Sequence, residues 1–357
     1  MNLTERSIEI IRAGQVPSGA YIACASFSQY GYSWLRDGTW IAHAMAAADQ
    51  PDSAEAFYRW AARTMLSHEN KIERLLAMLE RGETPTEIDY LPTRFTVDGA
   101  IGTDDWTEFQ LDGYGAWLWG AAQFCAERPA LWDELRPAAA LTVRYLAALW
   151  RSPNYDCWEE HREQIHTATL AAIYGGLTAV REIDAAIVPQ GLPDQIRAYI
   201  LENCVAPDGH FMKFIGNPEV DASLLWVAVP YGVVDVNDAR FQATLARIER
   251  DIIRPGGGVY RYKADTYFGG GEWLLLAAWL GWVYAELGRF DDARRMKAWV
   301  EAQVLTGGEM PEQVGANTLD SNYLQPWIDR WGESACPLLW SHAMWLILDE
   351  RLKEAQS

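Results

Sequence analysis

Apolar residues recur along most of this chain at the three- and four-residue spacing of α-helices, whereas strand-like alternation is rare and short, as at residues 258–262. Helix-starting residues such as Pro51-Asp52-Ser53 precede several of these patterns, and Gly288 is typical of the glycines that follow them. The chain is therefore predicted to be nearly all α. The predicted helices cover residues 3–13, 38–48, 52–80 (with a break near His68 as an alternative), 113–127, 131–149, 164–182, 192–205, 221–229, 238–252, 271–287, 291–305 and 338–354.

The predicted helices are of two kinds, which alternate along the chain. A helix that is apolar all round is buried, and one with a single charged face lies at the surface. Six buried helices alternating with six amphipathic ones form six hairpins, which would close into an (α/α)6 barrel with an inner and an outer ring. An open α-solenoid is the alternative, but no fixed-period repeat supports it. The six apolar segments are 38–48, 113–127, 164–182, 221–229, 271–287 and 338–354.

The sequence shows no domain boundary. A length of 357 residues would correspond to about two domains of typical size. Apolar residues make up 50 % of the sequence and are spread throughout it. No Pro- or Ser-rich linker and no run of charges interrupts them. We therefore expect one barrel domain that spans residues 1–357.

The charge balance argues against two classes of partner. With 30 basic and 49 acidic residues the net charge is −19, which opposes binding to nucleic acid or to an anionic membrane surface. The longest strongly apolar stretch, residues 273–285, is too short to span a bilayer, and the N-terminal residues lack the apolar core of a signal peptide. The oligomeric state is left open. Free thiols, and hence a cytoplasmic protein, are predicted from five cysteines without C-x-x-C spacing: Cys24, Cys125, Cys157, Cys204 and Cys336.

The loops that precede the apolar helices share an unusual composition. If the inner helices all run in one direction, these loops meet at one end of the barrel together with the helix N-termini. They contain Arg, Asp, Glu, Tyr and Trp, and the whole chain has 18 Trp and 16 Tyr. Such groups suit the flat apolar faces and the hydroxyl groups of a sugar. Candidate positions on this rim include Asp112 and Trp340, in addition to those described below.

Other chemistries have little support in the sequence. No G-x-S-x-G, H-E-x-x-H, P-loop or dinucleotide-binding motif occurs. Asp104-Asp105 and Asp291-Asp292 resemble the acidic motifs of terpene cyclases, but the second pair begins a predicted surface helix, where acidic residues are ordinary. No motif implies a cofactor or a metal ion. Carboxylate chemistry remains, and hydrolysis of a glycosidic bond needs one carboxylic acid and one carboxylate.

Glu159 and Glu312 are the two candidate catalytic carboxyl groups. Glu159 lies between Trp158 and Glu160, and both neighbours should raise its pKa, the first by displacing water and the second by charge repulsion. Glu312 follows Pro311 and is the candidate for the ionised partner. An ordinary acidic loop is the alternative explanation for each of them, and the sequence pattern alone does not separate the two explanations.

Several segments together resemble glycoside hydrolase family 15, the glucoamylase family, in order over roughly residues 27–345. Trp158-Glu159-Glu160 is similar to the general-acid motif of the family, which implies that Glu159 is the acid and that Glu160 binds the sugar beyond the scissile bond. Met310-Pro311-Glu312-Gln313 is similar to the family's Leu-Pro-Glu-Gln segment, which implies that Glu312 is the general base. The resemblance therefore implies distinct roles for the two carboxyl groups.

Two further segments match motifs that line the sugar pocket in this family. In the first, an Arg-Asp pair binds the hydroxyls of the terminal glucose, and the first Tyr helps to hold the catalytic water. That segment here consists of Tyr30, Tyr32, Trp34, Arg36 and Asp37. The second segment consists of Arg261, Tyr262, Asp265 and Tyr267. Candidates for the second sugar site are Trp106, Trp158, Glu160 and the loop 315–336.

The resemblance implies an exo-acting, inverting hydrolase that takes a small oligosaccharide and releases β-glucose from the non-reducing end of an α-glucoside. Inversion predicts that the carboxyl groups of Glu159 and Glu312 lie about 6.5–9.5 Å apart, which leaves room for a water molecule. The N-terminal β-sandwich domain and the starch-binding module of many family members are not expected in this chain. Two residues depart from the family pattern, since Glu272 replaces the usual Pro and Met310 the usual Leu.

A barrel of this size looks most like the intracellular glucohydrolases that act on short α-1,6-linked glucosides, and isomaltose is the expected substrate. An α-1,4-specific glucoamylase and a trehalase are the alternatives within the family. A non-catalytic sugar-binding barrel is the alternative outside it, although both candidate catalytic carboxyl groups are present. Linkage preference, chain length and any lid motion of residues 82–108 and 315–336 are left open.

Overall fold

In a computed structural model, residues 2–254 and 256–355 form thirteen α-helices in two concentric layers, with little β-structure. The helices are α1 (Leu3–Ala13), α2 (Leu35–Ala47), α3 (Pro51–Ser67), α4 (Glu69–Glu80), α5 (Asp112–Cys125), α6 (Pro129–Leu149), α7 (Thr167–Ile183), α8 (Leu192–Asn203), α9 (Ala239–Asp251), α10 (Leu274–Glu286), α11 (Phe290–Ala302), α12 (Leu324–Trp331) and α13 (Leu339–Glu354). Four two-residue strands are β1 (Ser33–Trp34), β2 (Arg94–Phe95), β3 (Glu272–Trp273) and β4 (Gln313–Val314).

The inner layer is a closed ring of six elements. In ring order these are α2, α5, α7, a 3₁₀-helix at Ala222–Val227, α10 and α13; each contacts the next, and α13 returns to α2. The outer layer contains α1, α3, α6, α8, α9 and α11; α3 packs on α2 and α5, α11 packs on α10 and α13, and each of the others packs on one inner element. The closed ring confirms the predicted (α/α)6 barrel and is incompatible with an open solenoid.

Burial follows the two helix types that the sequence distinguishes. The inner helix α10 buries eleven of its thirteen residues, whereas the outer helix α9 buries only four, which lie on one face. Each large apolar side chain removed from water contributes roughly 1.5–3 kcal/mol. Glycines let inner helices approach closely, since a Cβ on Gly115 of α5 would lie 2.5 Å from the Ala172 backbone of α7.

Two predicted helices differ from the structure. Residues 221–229 contain only the six-residue 3₁₀-helix, because Pro230 has no amide hydrogen and disfavours helical geometry in the residue before it. The segment 164–182 is helical only from Thr167, where α7 begins. The break near His68 is confirmed, since α3 ends at Ser67 and α4 begins at Glu69.

The region before α10 and the region before α13 also differ from the prediction. Residues 272–273, which were assigned to the start of a helix, form strand β3. Residues 258–262 make only isolated bridges, Ile253 to Val259 and Asp221 to Tyr262. The short helix α12 was not predicted at all, and none of its residues is buried.

Two short antiparallel pairs fix loops at one end of the barrel. β1 pairs with β2 immediately before α2, and β3 pairs with β4 immediately before α10. In the second pair Trp273 lies opposite Gln313. The Glu312 carbonyl also accepts a hydrogen bond from the Leu274 amide at 3.3 Å. The segment with Glu312 is therefore held against the start of α10.

Three features of the described residues bear on the classes of protein considered above. No helix within residues 2–254 and 256–355 is both long enough and apolar enough to cross a bilayer. The same residues contain no group of three His, Cys, Asp or Glu side chains that could hold a metal ion. The five cysteines are unpaired, in agreement with the free thiols predicted from their spacing.

Candidate active site

A cavity of about 190 Å³ lies among the loops that precede the inner helices. Its walls come from the segments before α2, α5, α7, α10 and α13, so five of the six loops converge as expected, and the segment before the 3₁₀-helix contributes no lining residue. Eleven of the sixteen individually named candidate residues line the cavity: Tyr30, Trp34, Arg36, Asp37, Trp106, Trp158, Glu159, Arg261, Tyr267, Glu312 and Trp340.

Glu159 lies in a tight loop between α6 and α7. Its φ of 67° is in the left-handed region, which non-glycine residues rarely occupy. The indole N–H of Trp34 donates to Oε1 at 2.9 Å, and the Thr107 hydroxyl donates to Oε2 at 3.4 Å. Since an indole can only donate, Oε1 remains an acceptor and the dissociable proton belongs on Oε2.

Desolvation raises the pKa of Glu159 to about 7, although Arg36 and the hydrogen bond from Trp34 lower it. A raised pKa was expected from two causes, displacement of water and repulsion by Glu160. The first is the larger cause here, since desolvation dominates. The second is not among the main causes, because Arg261 contacts the Glu160 carboxylate at 3.2 Å and the carboxylate that raises the pKa of Glu159 is Asp37.

Glu312 is only 5 % exposed and lies just before β4. The Tyr30 hydroxyl donates to its Oε1 at 3.1 Å, and the Gln313 amide donates to Oε2 at 3.4 Å. Because Tyr30 gives its single proton to Glu312, the Tyr267 hydroxyl, 2.7 Å away, must donate to Tyr30. Burial raises the pKa of Glu312 to about 7, while Tyr30 and Arg261 lower it.

The two carboxyl groups can share acid and base work near neutral pH. Both have a pKa of about 7, so a state in which one is protonated and the other is ionised is well populated there. The sequence predicted an ionised Glu312, whereas burial makes its ionisation cost nearly as much as that of Glu159. The donors around Glu312 favour its anion and oppose this cost.

Arg36 and Asp37 form a paired cation and anion on the cavity wall. Arg36 Nε lies 3.4 Å from Asp37 Oδ2, and Arg36 Nη1 lies 3.2 Å from Asp112 and 2.8 Å from Gln110. Burial raises the pKa of Asp37 to about 6, although Arg36 lowers it. Arg36 Nε and Asp37 Oδ2 are buried against each other and make no further hydrogen bond among the described residues. Each side chain keeps a small exposed fraction, 6 % and 8 %, and lines the cavity, where a ligand can contact it.

Five candidate residues do not line the cavity, and one of them, Asp265, accepts hydrogen bonds from Arg261 at 2.5 and 2.8 Å. Asp112 is fully buried and pairs with Arg36 beneath the wall. Glu160 accepts from Arg261 at 3.2 Å and from the Tyr262 hydroxyl at 2.5 Å. Tyr32 lies further out, where its hydroxyl donates to Asp104 at 2.5 Å and its ring packs on Arg94.

Three lining tryptophans were not named individually among the candidates. Trp273 directly follows Glu272, a position that was compared with the family pattern, and Trp327 and Trp331 lie in the candidate loop 315–336. Trp327 and Trp331 come from the unpredicted helix α12, where their four-residue spacing places them on one face. The Trp327 ring centre lies 4.1 Å from that of Tyr267. Helix α12 therefore contributes an aromatic part of the cavity wall.

Comparisons with known proteins identify the family and the fold of this chain. The family described as glycosyl hydrolases family 15 matches residues 5–317. The isomaltose glucohydrolase of Kribbella flavida is 39 % identical over 98 % of this chain and 92 % of its own. A solved wild-type glycosidase is 39 % identical with a TM-score of 0.94, over 98 % of this chain and 96 % of the other.

A more distant solved structure shows how far the fold extends. The glucoamylase from Saccharomycopsis fibuligera is 14 % identical, with a TM-score of 0.73 over 99 % of this chain and 95 % of its own. At this identity the likeness shows the fold alone. The family match across most of the sequence and the relative at 39 % identity show the family, and the structural likeness shows the fold. The chain therefore belongs to glycosyl hydrolases family 15 and is a glycoside hydrolase with a glucoamylase-like (α/α)6 barrel.

Proposed function

We propose that this glycoside hydrolase is exo-acting and inverting, and that it releases β-glucose from the non-reducing end of isomaltose and short isomalto-oligosaccharides. One observation carries the proposal: Glu159 and Glu312 line the same small cavity, beside the Arg36-Asp37 pair. Glu159 is the general acid that protonates the leaving oxygen. Glu312 is the general base that activates a water molecule for attack on the anomeric carbon.

The positions of the two loops in the ring support inversion. Glu159 precedes α7 and Glu312 precedes α13, which are the third and sixth elements of the six-membered inner ring. These two elements lie opposite each other, so their loops approach a bound sugar from opposite sides. An inverting hydrolase needs this arrangement, because water attacks the face opposite the leaving group.

The size and lining of the cavity support attack at a chain end. A volume of about 190 Å³ is smaller than the roughly 300–1,000 Å³ of sites that enclose drug-sized ligands, and it suits a single sugar ring. Arg36 and Asp37 offer a donor and an acceptor to adjacent hydroxyls. The side chains of Trp273 and Trp340 add aromatic surface to the cavity wall. The cavity therefore offers a terminal glucose both charged and aromatic groups.

Two observations support the α-1,6 linkage. The relative at 39 % identity is an isomaltose glucohydrolase. The aromatic side chains of Trp106, Trp327 and Trp331 offer flat apolar surface to a second glucose. An α-1,6 link adds one rotatable bond, so the second ring can turn its face toward such side chains.

The proposed setting is the cytoplasm, where thiols remain reduced. Four of the five cysteines are buried and all are unpaired. This usage suits a reducing compartment, since an oxidising one favours disulfides. An acidic surface also suits a neutral sugar better than an anionic partner, given the net charge of −19.

The test is a substrate panel of isomaltose, panose, maltose, trehalose and soluble starch, with the anomer of the released glucose followed by NMR. We expect isomaltose to have the highest kcat/KM and β-glucose to appear first. Initial release of α-glucose would contradict inversion. A preference for maltose or trehalose would overturn the proposed linkage but not the family.

Two glutamine variants test the catalytic roles. Glu159→Gln and Glu312→Gln should each lower kcat for isomaltose by roughly 10²–10⁴-fold, because each removes a proton-transferring group. Glu163→Gln and Glu333→Gln are the matched controls, since both glutamates are exposed and lie in the same two segments outside the cavity. Near-full activity in either cavity variant would refute the assignment.

A further inference from the structure

A buried lysine lies beneath the loop that contains Glu159. Lys213 is 5 % exposed and belongs to the segment between α8 and the 3₁₀-helix. Its Nζ lies 3.0 Å from Asp221 Oδ2, 3.7 Å from Asp156 Oδ2, and 3.2 Å from the centre of the Tyr262 ring. A buried cation is costly unless it is paired, and here one cation faces two carboxylates and an aromatic face.

The two carboxylates partnered by Lys213 hold the residues around Glu159. Asp156 Oδ1 accepts from the backbone N–H of Trp158 at 3.0 Å and from that of Glu160 at 2.9 Å. These residues directly precede and follow Glu159. The backbone N–H of Glu159 itself donates to the Asp156 carbonyl at 2.9 Å. Asp156 thus closes the loop around the acid.

Asp221 holds the same loop through a side chain. It accepts the indole N–H of Trp158 at 3.0 and 3.1 Å, and it also receives the amide and hydroxyl of Ser223 at the start of the 3₁₀-helix. Tyr262, whose ring faces Lys213, donates to Glu160. Three residues of the loop are therefore tied to Lys213 either directly or through one partner.

The backbone of Glu159 explains why such support is needed. Its φ of 67° is unfavourable for a side chain with a Cβ, and such geometry persists only when the surroundings impose it. His161, just beyond, also has a positive φ of 54°. Without the bonds from Asp156 and Asp221 the loop would relax toward ordinary geometry, and the carboxyl of Glu159 would move away from the leaving oxygen.

We propose that Lys213 and Asp221 are positioning residues for the general acid, which keep Glu159 in reach of the glycosidic oxygen by fixing the loop 156–160. The inference rests on the acid role proposed above for Glu159. Neither residue touches the substrate in this account. Lys213 lowers the pKa of both carboxyl groups: that of Asp221 lies below its ordinary value, whereas burial still raises that of Asp156 to about 7. Asp156 Oδ1 can accept the backbone hydrogen bonds that shape the loop in either protonation state, and Asp221 accepts them as an anion.

The leaving group of the substrate separates this role from general stability. Isomaltose needs a proton on its leaving oxygen, whereas the fluoride of α-glucosyl fluoride leaves without help from an acid. Lys213→Met should lower kcat for isomaltose by roughly 10- to 100-fold, because a misplaced acid is a poor proton donor. Its KM and its activity on α-glucosyl fluoride should remain close to wild type. Lys213→Arg, which keeps the cation, should restore most of the lost activity.

A matched control is available on the other side of the barrel. Lys297 pairs with Glu301 and Asp349 and lies over the Trp345 ring, but it belongs to α11 and contacts no loop of the cavity. Lys297→Met removes a cation that, like Lys213, interacts with two carboxylates and one aromatic ring. It should leave the ratio of the two activities unchanged.

A second variant covers the case in which Lys213→Met does not fold. Asp221→Asn keeps the shape of the side chain and an acceptor for Ser223, but it removes the charge that faces Lys213. Circular dichroism and thermal unfolding establish that each variant is folded. We expect Asp221→Asn to show the same selective loss on isomaltose. Wild-type kcat on isomaltose, or an equal loss on both substrates, in the folded variant would overturn the inference.

Glu159→Gln separates failure of this inference from failure of the proposed function. If Glu159→Gln loses isomaltose hydrolysis but retains α-glucosyl fluoride hydrolysis, the acid role holds, and the Lys213 and Asp221 variants then decide the inference alone. If Glu159→Gln hydrolyses isomaltose normally, the proposed function itself is wrong, and the inference falls with it.

Discussion

Replacing Glu312 with glutamine is expected to stabilise the enzyme in neutral and alkaline solution while leaving its stability in acid nearly unchanged. Glu312 is 5 % exposed, and burial raises its pKa from an ordinary 4.5 to about 7. The folded protein therefore binds a proton at this site that the unfolded chain has already released. Between these two pKa values the free energy of unfolding falls as the pH rises, and the loss is complete above about pH 7.

The size of the effect follows from the same pKa values. A tenfold change in proton affinity corresponds to about 1.4 kcal/mol, so a rise from 4.5 to about 7 corresponds to about 3 kcal/mol. For a chain of 357 residues the unfolding entropy is about 0.75 kcal/mol/K, from about 2.1 cal/mol/K per residue. We therefore expect Glu312→Gln to unfold about 4 °C higher than wild type at alkaline pH.

Glutamine fits the site without a new unpaired group. Its carbonyl can accept from the Tyr30 hydroxyl, as Glu312 Oε1 does now. Its amide lies next to Gln313, whose Oε1 has no partner among the described residues and can serve as the acceptor after rotation of that side chain. The gain from removing a buried charge is therefore not cancelled by a lost hydrogen bond.

Calorimetry of both proteins at about pH 4 and at about pH 8.5 measures the effect, since these values bracket the titration. Glu333→Gln is the control, because this glutamate is exposed in the same segment and should shift neither transition. An equal shift at both pH values would show that the gain has nothing to do with ionisation. Destabilisation at alkaline pH would refute the assumption that burial of Glu312 is costly.

Two further predictions concern catalysis. The pH profile of kcat/KM for isomaltose should be bell-shaped with a maximum near pH 7, because Glu312 (pKa about 7) is protonated on the acid side and Glu159 (pKa about 7) is ionised on the alkaline side. With α-glucosyl fluoride as substrate, the fall in kcat/KM on the alkaline side should be absent. A profile that is the same for both substrates would contradict the role of Glu159 as the acid. Trp327→Ala should raise the KM for isomaltose by up to roughly tenfold, as expected from loss of an aromatic contact, without affecting α-glucosyl fluoride, which has no second sugar. Trp299→Ala, on α11 outside the cavity, is the control, and an equal effect on both substrates would show that Trp327 does not contact the second sugar.

The barrel could be predicted from the sequence because the distribution of apolar residues around each helix shows by itself whether that helix is buried. Helix α10 is apolar on every side and α9 on one side only, and this contrast needs no knowledge of the partner helices. The predicted helix 221–229 is longer than the 3₁₀-helix at Ala222–Val227, because the apolar run continues as far as Pro230. Hydrophobic periodicity does not show at which residue the helical hydrogen bonds end. Hydrophobic pattern thus predicts which layer an element occupies better than it predicts its length.

Much of the cavity wall and some of its supports, such as Asp112 and Glu160, could also be predicted, but the buried cluster around Lys213 could not. The candidate residues lie in motifs that are continuous in sequence, such as Trp158-Glu159-Glu160. Lys213 lies between Met212 and Phe214 in an apolar stretch and belongs to no motif. Its importance depends on Asp156 and Asp221, which come from other loops. Such a cluster is visible only when the chain is folded.

The position of each loop in the ring explains how a fold of similar hairpins gives the two candidate catalytic carboxyl groups different surroundings. Glu312 precedes α13, and its donor Tyr30 precedes α2, the neighbour of α13 in the ring. Glu159 precedes α7, and Asp221 precedes the 3₁₀-helix, the neighbour of α7.

Each candidate carboxyl group is thus supported from an adjacent loop, and the inner elements that follow their two loops are three ring positions apart. On this view the distance between acid and base is set by the ring and not by either motif. A change in the loop 156–160 should therefore alter the orientation of the Glu159 carboxyl group, while Glu312 and the hydrogen bond that it accepts from Tyr30 remain in place. The selective loss expected for the Lys213 variants depends on this independence.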